Sequence, residues 1–133
     1  MGQQQLLLII LGVIVVGIAV AVGITMFSDS AINANRDALA NDLVNLASRA
    51  QQFYRRPVSL GGGGNDFTKL TSIAQLTNNA TNANGTYTLI SASGAGSTAK
   101  AVIKGVGTEF YNNVLVSVQV DVFPDRDSVY TLN

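Results

Sequence analysis

An uncharged apolar stretch near the N-terminus constrains the fold of this chain more than any other feature. Residues 6–27 read LLLIILGVIVVGIAVAVGITMF, in which Thr25 is the only side chain that is neither apolar nor glycine. As a helix with a rise of 1.5 Å per residue, this stretch is about 33 Å long, enough to cross the hydrocarbon core of a bilayer. Such a helix must be placed in lipid or against other apolar surfaces.

The residues around this stretch fit two ordinary explanations poorly. A secretory signal peptide has a basic start and a shorter apolar core, whereas no Lys or Arg precedes Arg36. A plain membrane anchor usually carries basic flanks and a belt of Trp or Tyr. Here glutamines occupy positions 3–5, and Phe27 is the only aromatic residue nearby in the sequence. A single-pass anchor that carries a small binding domain stays open as an alternative.

After residue 28 the pattern changes from uniformly apolar to amphipathic. Spacings of four, three, four and three residues define one apolar helical stripe, formed by Leu39, Leu43, Leu46, Ala50 and Phe53. The alternative is a coiled-coil seam, but two heptads are short for one. Pro57 ends the helix because it disfavours the helical conformation at Arg56. We predict one helix over residues 2–55. It lies in an N-terminal region, residues 1–56, that has a hydrophobic half in residues 1–28 and an amphipathic half in residues 29–56.

Residues 57–133 remain for a head, which is small for an independent core and should lean on the helix. The run Gly61-Gly62-Gly63-Gly64 predicts a flexible connection. A short helix is then predicted from Asn65 or Asp66 through Gln75, since either residue can cap it. Its inward side chains would be Phe67, Leu70, Ile73 and Ala74.

The rest of the head reads as strands. Segments 86–91 and 99–106 flank a Gly/Ser-rich turn and predict a hairpin. In residues 114–122 valine alternates with other residue types, and this period of two predicts a strand with one buried face. Residues 129–132 can return as a fourth strand. The expected fold is α+β, with a long N-terminal α-helix packed on an antiparallel β-sheet head of about three to four strands.

The composition argues against several classes of function. Hydrophobic residues make up 47% of the 133 residues and charged residues 12%, with eight basic and eight acidic side chains. The balanced charge predicts no specific nucleic-acid site. Cys and His are absent, and the remaining Ser, Thr and Asp show no catalytic spacing, so we expect neither an enzyme nor a cofactor. A low charge content suits a subunit that buries much of its surface against copies of itself.

The polar segment 77–86 carries two acceptor patterns for N-glycosylation. They are Asn79-Ala80-Thr81 and Asn84-Gly85-Thr86. Such triplets also arise by chance in loops rich in Asn and Thr, so a modified and an unmodified loop are both open. In either case we expect this loop at the outer surface.

The N-terminal layout resembles that of a type IV pilin over about the first 30 residues. In that family the mature subunit opens with a hydrophobic residue, a few polar residues ending in glutamate, and some twenty apolar residues. The stretch MGQQQLLLIILGVIVVGIAVAVGI fits this layout with Met1 as the first mature residue and Gln5 at the glutamate position. Cleavage after Gly2 is a second register. The chain departs from the family in Gln5, in Val22 where many members have proline, and in having no disulfide.

This resemblance implies a structural subunit that polymerises into an extracellular type IV pilus-like filament used in adhesion, motility or DNA uptake. A prepilin peptidase would process the chain, Met1 would be methylated, and the pilus assembly machinery would move the subunit from the inner or cytoplasmic membrane into a homopolymer at the cell surface. The helices would pack in the fibre core through small and apolar residues. These are Gln5, Leu6, Leu7, Ile9, Ile10, Gly12, Ile14, Gly17, Ala19, Ala21, Gly23 and Phe27.

A pseudopilin of type II secretion has the same implied shape and is the first alternative. That family typically has a calcium site near the C-terminus, and Asp121, Asp125 and Asp127 offer oxygen ligands here. Turn chemistry alone also explains the Pro124-Asp125 pair. We therefore expect solvated turn carboxylates and no metal.

Overall fold

The computed structural model describes residues 2–133 and confirms the α+β fold. A single helix, α1 (Gly2–Arg55), is followed by four strands. The strands are β1 (Gly85–Ser93), β2 (Lys100–Tyr111), β3 (Val114–Val122) and β4 (Asp127–Thr131). They form one antiparallel sheet in the order β1-β2-β3-β4, so each strand pairs with its neighbour in sequence. Four single-turn 3-10 helices lie in the connections.

Helix α1 is continuous over 54 residues, as predicted, and is about 80 Å long. Residues 2–30 are all exposed, and the first buried residue along the helix is Ile32. The helix therefore consists of a free apolar half and a half that is packed on the sheet. It ends before Pro57, as the sequence indicates.

The head core forms where the amphipathic half of α1 meets the sheet. All five residues of the predicted stripe are at most 6% exposed and belong to one buried cluster with the strands. From β3, four valines face this cluster: Val116, Val118, Val120 and Val122. The 3.6-residue period of the helix and the two-residue period of the strand thus bring two apolar faces together.

At the start of β3 the expectation differs from the structure. Val114 is 56% exposed, although it continues the alternation of buried valines. It pairs with Tyr111 beside the Asn112-Asn113 turn, where both asparagines have positive φ. Asparagine tolerates this conformation better than most residues, and two such residues suit a tight hairpin turn. The hairpin tip extends beyond the helix-covered core, so Val114 has nothing to bury against.

The four glycines after the helix are folded against its end instead of forming a flexible connection. The backbone N–H groups of Gly63 and Gly64 donate to the carbonyls of Phe53 and Arg56, at 2.8 and 2.9 Å. A Cβ on Gly62 would lie 2.3 Å from the carbonyl oxygen of Arg56. A residue with a Cβ could not come this close. Glycine is therefore required where the chain approaches the last carbonyls of the helix, which need hydrogen-bond partners.

The predicted short helix up to Gln75 is wrong in its continuity. Two separate 3-10 turns, Phe67–Lys69 and Ile73–Gln75, stand in its place, capped by the side chains of Asp66 and Ser72. The two caps divide a segment that is too short to repay helix nucleation. Phe67 and Leu70 are buried as expected, whereas Ala74 is exposed.

Candidate assembly surface

The free half of α1 is a continuous apolar surface that the head leaves uncovered. Its large apolar side chains, from Leu6 to Phe27, are 52–79% exposed. By length and composition this helix can cross a membrane, and none of its most apolar window is buried inside the protein. Burying apolar surface lowers the free energy by about 25 cal/mol per Å². Lipid or other protein must therefore cover these residues.

Small residues lie on two sides of this free half. At 100° per residue, Gly12, Ala19 and Gly23 fall on one side of the helix, and Gly17 and Ala21 fall on nearly the opposite side. A Cβ added at any of these three glycines would meet no atom within 4 Å. Small residues allow helices to approach closely in apolar surroundings. The free half can therefore take a close neighbour on two sides.

The other residues of the predicted packing set are placed similarly. Gln5, Leu6, Leu7, Ile9, Ile10 and Ile14 are exposed on the first turns of α1. Gln5 offers a carbonyl oxygen that can accept a hydrogen bond from an amine, but it carries no charge. Met1, the predicted site of processing and methylation, lies outside the described residues. The helix is unbroken through Gly12, Gly17 and Gly23.

A polar cluster around Asp42 joins the amphipathic half of α1 to the sheet, and the sequence did not predict it. The Oδ2 atom of Asp42 accepts hydrogen bonds from the side-chain amides of Asn82 and Asn84, at 3.0 and 2.9 Å, and from the hydroxyl of Tyr87. Asn35, about two helical turns earlier, donates to the Asn84 carbonyl at 2.9 Å. The Asp42 carboxylate therefore links both the Asn/Thr-rich loop and β1 to the helix.

The hydrogen bonds of this cluster shift the pKa values of its two acids in opposite directions. Burial acts to raise the pKa of Asp42, but the bonds from Asn84, Tyr87 and Asn82 outweigh it and hold this pKa below its ordinary value. Burial, and next the bond to Asp42, raise the pKa of Tyr87 well above its ordinary value. Near neutral pH the cluster therefore holds a carboxylate and a protonated phenol.

A groove of about 470 Å³ opens beside this cluster, between α1 and the loop that precedes β1. Its lining includes Asn45, Arg49, Gln52 and Asn79. Arg49 donates to the Leu76 carbonyl at 3.1 Å, so its guanidinium is partly engaged in holding the loop. The groove is a polar seam between helix and head.

The two predicted glycosylation sites have different surroundings. Asn79 is exposed on the loop. Asn84 is half-buried, and its side-chain nitrogen, the atom that would carry a glycan, donates to Asp42. A glycan on Asn84 would have to break that hydrogen bond, whereas Asn79 has no such conflict.

The three carboxylates considered for calcium are dispersed. Asp121 forms a salt bridge of 2.9 Å with Lys100, and Asp125 pairs with Arg126 at 3.5 Å. Asp127 begins β4 and pairs with Val122 across the sheet. Within residues 2–133, no group of three or more acidic, His or Cys side chains is arranged to hold a metal ion.

Comparisons with known proteins add no relative. No protein-family model matches the chain, and searches of curated proteins and of solved structures yield no match.

Proposed function

We propose that this chain is a non-catalytic structural subunit that polymerises into an extracellular type IV pilus-like filament. The observation that carries the proposal is the division of α1. One unbroken helix has a head-packed half, which contains the buried stripe, and a fully exposed apolar half of about 22 residues. In the filament the exposed halves pack together in the core and the heads lie outside.

During assembly, the free half of α1 exchanges one apolar environment for another. Before assembly, lipid covers the free half of α1 in the inner or cytoplasmic membrane, and in the fibre the same segment of neighbouring subunits covers it. The hydrophobic transfer between these two apolar settings is nearly neutral, so close packing must favour the polymer. Two sides rich in small residues suit a helical array, in which each subunit has several neighbours, better than a single dimer.

The remaining parts of the proposal follow the resemblance to type IV pilins. A prepilin peptidase would generate the mature N-terminus at Met1, which would then be methylated. The Gln5 carbonyl would accept a hydrogen bond from a neighbour's terminal amine, in place of the family's salt bridge. Adhesion, motility or DNA uptake would be the work of the assembled fibre at the cell surface.

The test is to shear cells that express the chain, sediment the released material and identify the protein by mass. Recovery of the chain in fibres, with the mass of a methylated N-terminus, supports the proposal. An alternative from a different class is a single-pass anchor with a small binding head, which the exposed apolar helix alone also fits. That alternative predicts intact chain in the membrane fraction and none in sheared fibres.

A further inference from the structure

The tip of the β2–β3 hairpin carries apolar side chains that the head leaves uncovered. Phe110 is 62% exposed, Tyr111 43% and Val114 56%. They flank the turn formed by Asn112 and Asn113. Tyr111 and Val114 pair across the two strands and share one face of the hairpin, whereas Phe110 lies on the other face. Large exposed apolar side chains on both faces of one hairpin tip indicate a contact surface.

Hydrogen bonds between the sheet and α1 show that β3 runs along the helix. Near the start of β3, Ser117 donates to the side chain of Asn133, whose backbone carbonyl accepts from Arg36. Just beyond its end, the Phe123 carbonyl accepts from Gln51. The strand interval is about 20 Å long and the helical interval about 22 Å, so the two elements are nearly parallel.

The same rises per residue give the position of the hairpin tip along α1. Val114 precedes Ser117 by three residues, which is about 10 Å, or about seven helical residues. Counted back from Arg36, this level is that of Asp29, immediately after the apolar stretch ends at Phe27. The exposed tip therefore lies where α1 would leave a membrane, although the sequence shows no aromatic belt there.

The chemistry of the tip suits the boundary between hydrocarbon and water. The guanidinium of Arg36 lies over the ring of Tyr111, 5.0 Å from its centroid. Tyrosine has an apolar ring and a polar hydroxyl, and such residues collect at the headgroup level of membranes. Arginine at this level can keep its charge in water or on a phosphate while its stem covers apolar surface.

We propose that the tip of the β2–β3 hairpin is a membrane-contact element in the unassembled subunit. Phe110, Tyr111 and Val114 enter the headgroup layer of the bilayer that holds the free half of α1, and Arg36 faces the lipid phosphates. The head is thereby held against the membrane at a fixed orientation. This inference rests on the membrane-inserted state in the proposed function.

The chain contains no tryptophan, so Phe110→Trp introduces a single fluorescent reporter at an exposed site. The full-length variant is reconstituted into phosphatidylcholine vesicles with and without brominated acyl chains, which quench tryptophan within the bilayer. Two matched variants bracket it. Phe27→Trp reports the end of the apolar helix, and Leu60→Trp, at a 70% exposed site beyond the far end of α1, reports a position in water.

The proposal predicts that F110W emission is blue-shifted relative to L60W and loses about half of its intensity in brominated vesicles, as expected for an indole at the interface. Emission like that of L60W, while F27W is quenched, would overturn the hairpin contact and leave the inserted helix intact. Absence of quenching for F27W would overturn the membrane-inserted state itself, and the hairpin contact with it.

A contact with a second copy of the chain is the competing explanation for a blue shift. Repeating the measurement at a much lower protein-to-lipid ratio distinguishes this contact from the lipid contact. Quenching of F110W that persists on dilution supports the lipid contact. A blue shift that disappears on dilution and is unaffected by brominated lipid would assign the tip to a neighbouring subunit and overturn the proposal.

Discussion

The hydroxyl of Tyr87, in β1, donates to the carboxylate of Asp42, which lies 45 residues earlier on the opposite side of the helix–sheet seam. Tyr87 is 3% exposed, and its ring packs in the core while its hydroxyl reaches the polar groove. Asn82 and Asn84, in the loop before the sheet, donate to the same carboxylate oxygen. The three bonds therefore link α1 to the loop and to β1 through a single atom. Their removal is therefore a direct way to loosen the head from the helix.

Replacing Tyr87 by Phe should lower the free energy of unfolding of the head by about 1.5 kcal/mol, because one hydrogen bond to a charged acceptor is lost. Asp42→Ala should cost about 1–3 kcal/mol, since three donors lose their acceptor. Denaturant titration of the full chain in detergent measures both changes. Asp37→Ala, at an exposed position of the same helix, is the control and should stay within about 0.5 kcal/mol of the parent.

The pH dependence of stability should follow the same cluster. Because the pKa of Asp42 is lower in the folded than in the unfolded state, its stabilisation is complete above about pH 4 and is lost as the pH falls through the folded value. Since the chain has no His, stability should be flat from about pH 5 to 8. Asp42→Asn should reduce the loss of stability at acid pH. An equal loss in this variant would contradict the assignment to Asp42.

On the alkaline side, the raised pKa of Tyr87 has the opposite consequence. Its protonated form is favoured in the folded state, so this stabilisation is present below about pH 10 and is lost as the pH rises further. Tyr87→Phe should reduce the loss of stability in that range. The same denaturant titrations, continued to high pH, measure the effect, and an equally steep loss in the variant would refute it.

The packed half of α1 should respond to mutation according to burial alone. Leu43 is fully buried and Val44, the next residue, is 43% exposed. Leu43→Ala should cost about 2–5 kcal/mol in the unfolding of the head. Val44→Ala should change it by no more than about 0.5 kcal/mol. Similar effects at the two positions would show that the stripe is not the face that meets the sheet.

The free half should respond in the opposite way, with assembly affected and folding untouched. Gly17→Leu adds a large side chain where this subunit has open space, so head stability should not change. In packed helices the added bulk costs about 1–3 kcal/mol, and the yield of sheared fibres should fall about tenfold. Val20→Leu, between the two sides rich in small residues, is the matched control. Equal yields for the two variants would contradict close packing at Gly17.

The sequence predicted those parts of the fold that have a regular period. The apolar run, the stripe on α1 and the valines of β3 each repeat over enough residues to fix an element and its buried face. The prediction of one helix after Asp66 was wrong because two local caps, each only a few residues from its partner, divide the segment into two turns. Local competition of this kind leaves little trace in a periodic pattern.

The long-range features were not predictable in the same way. The Asp42 cluster joins residues 40 to 45 positions apart, and it depends on the register that brings Tyr87 and the Asn-rich loop over the helix. The hairpin tip was missed because β2 continues to Tyr111, five residues beyond its predicted end at residue 106. That extension carries Phe110 and Tyr111 to the level at which the apolar stretch ends.

In the proposed filament, the free halves of α1 form the core. The most direct measurement is a helical reconstruction of sheared fibres by electron cryomicroscopy, with the chain identified by mass. We predict axial density built from residues 6–27 of neighbouring copies, with the sheets of the heads outside. Fibres that contain this chain but are held together by head contacts, with residues 6–27 away from the axis, would contradict the claim.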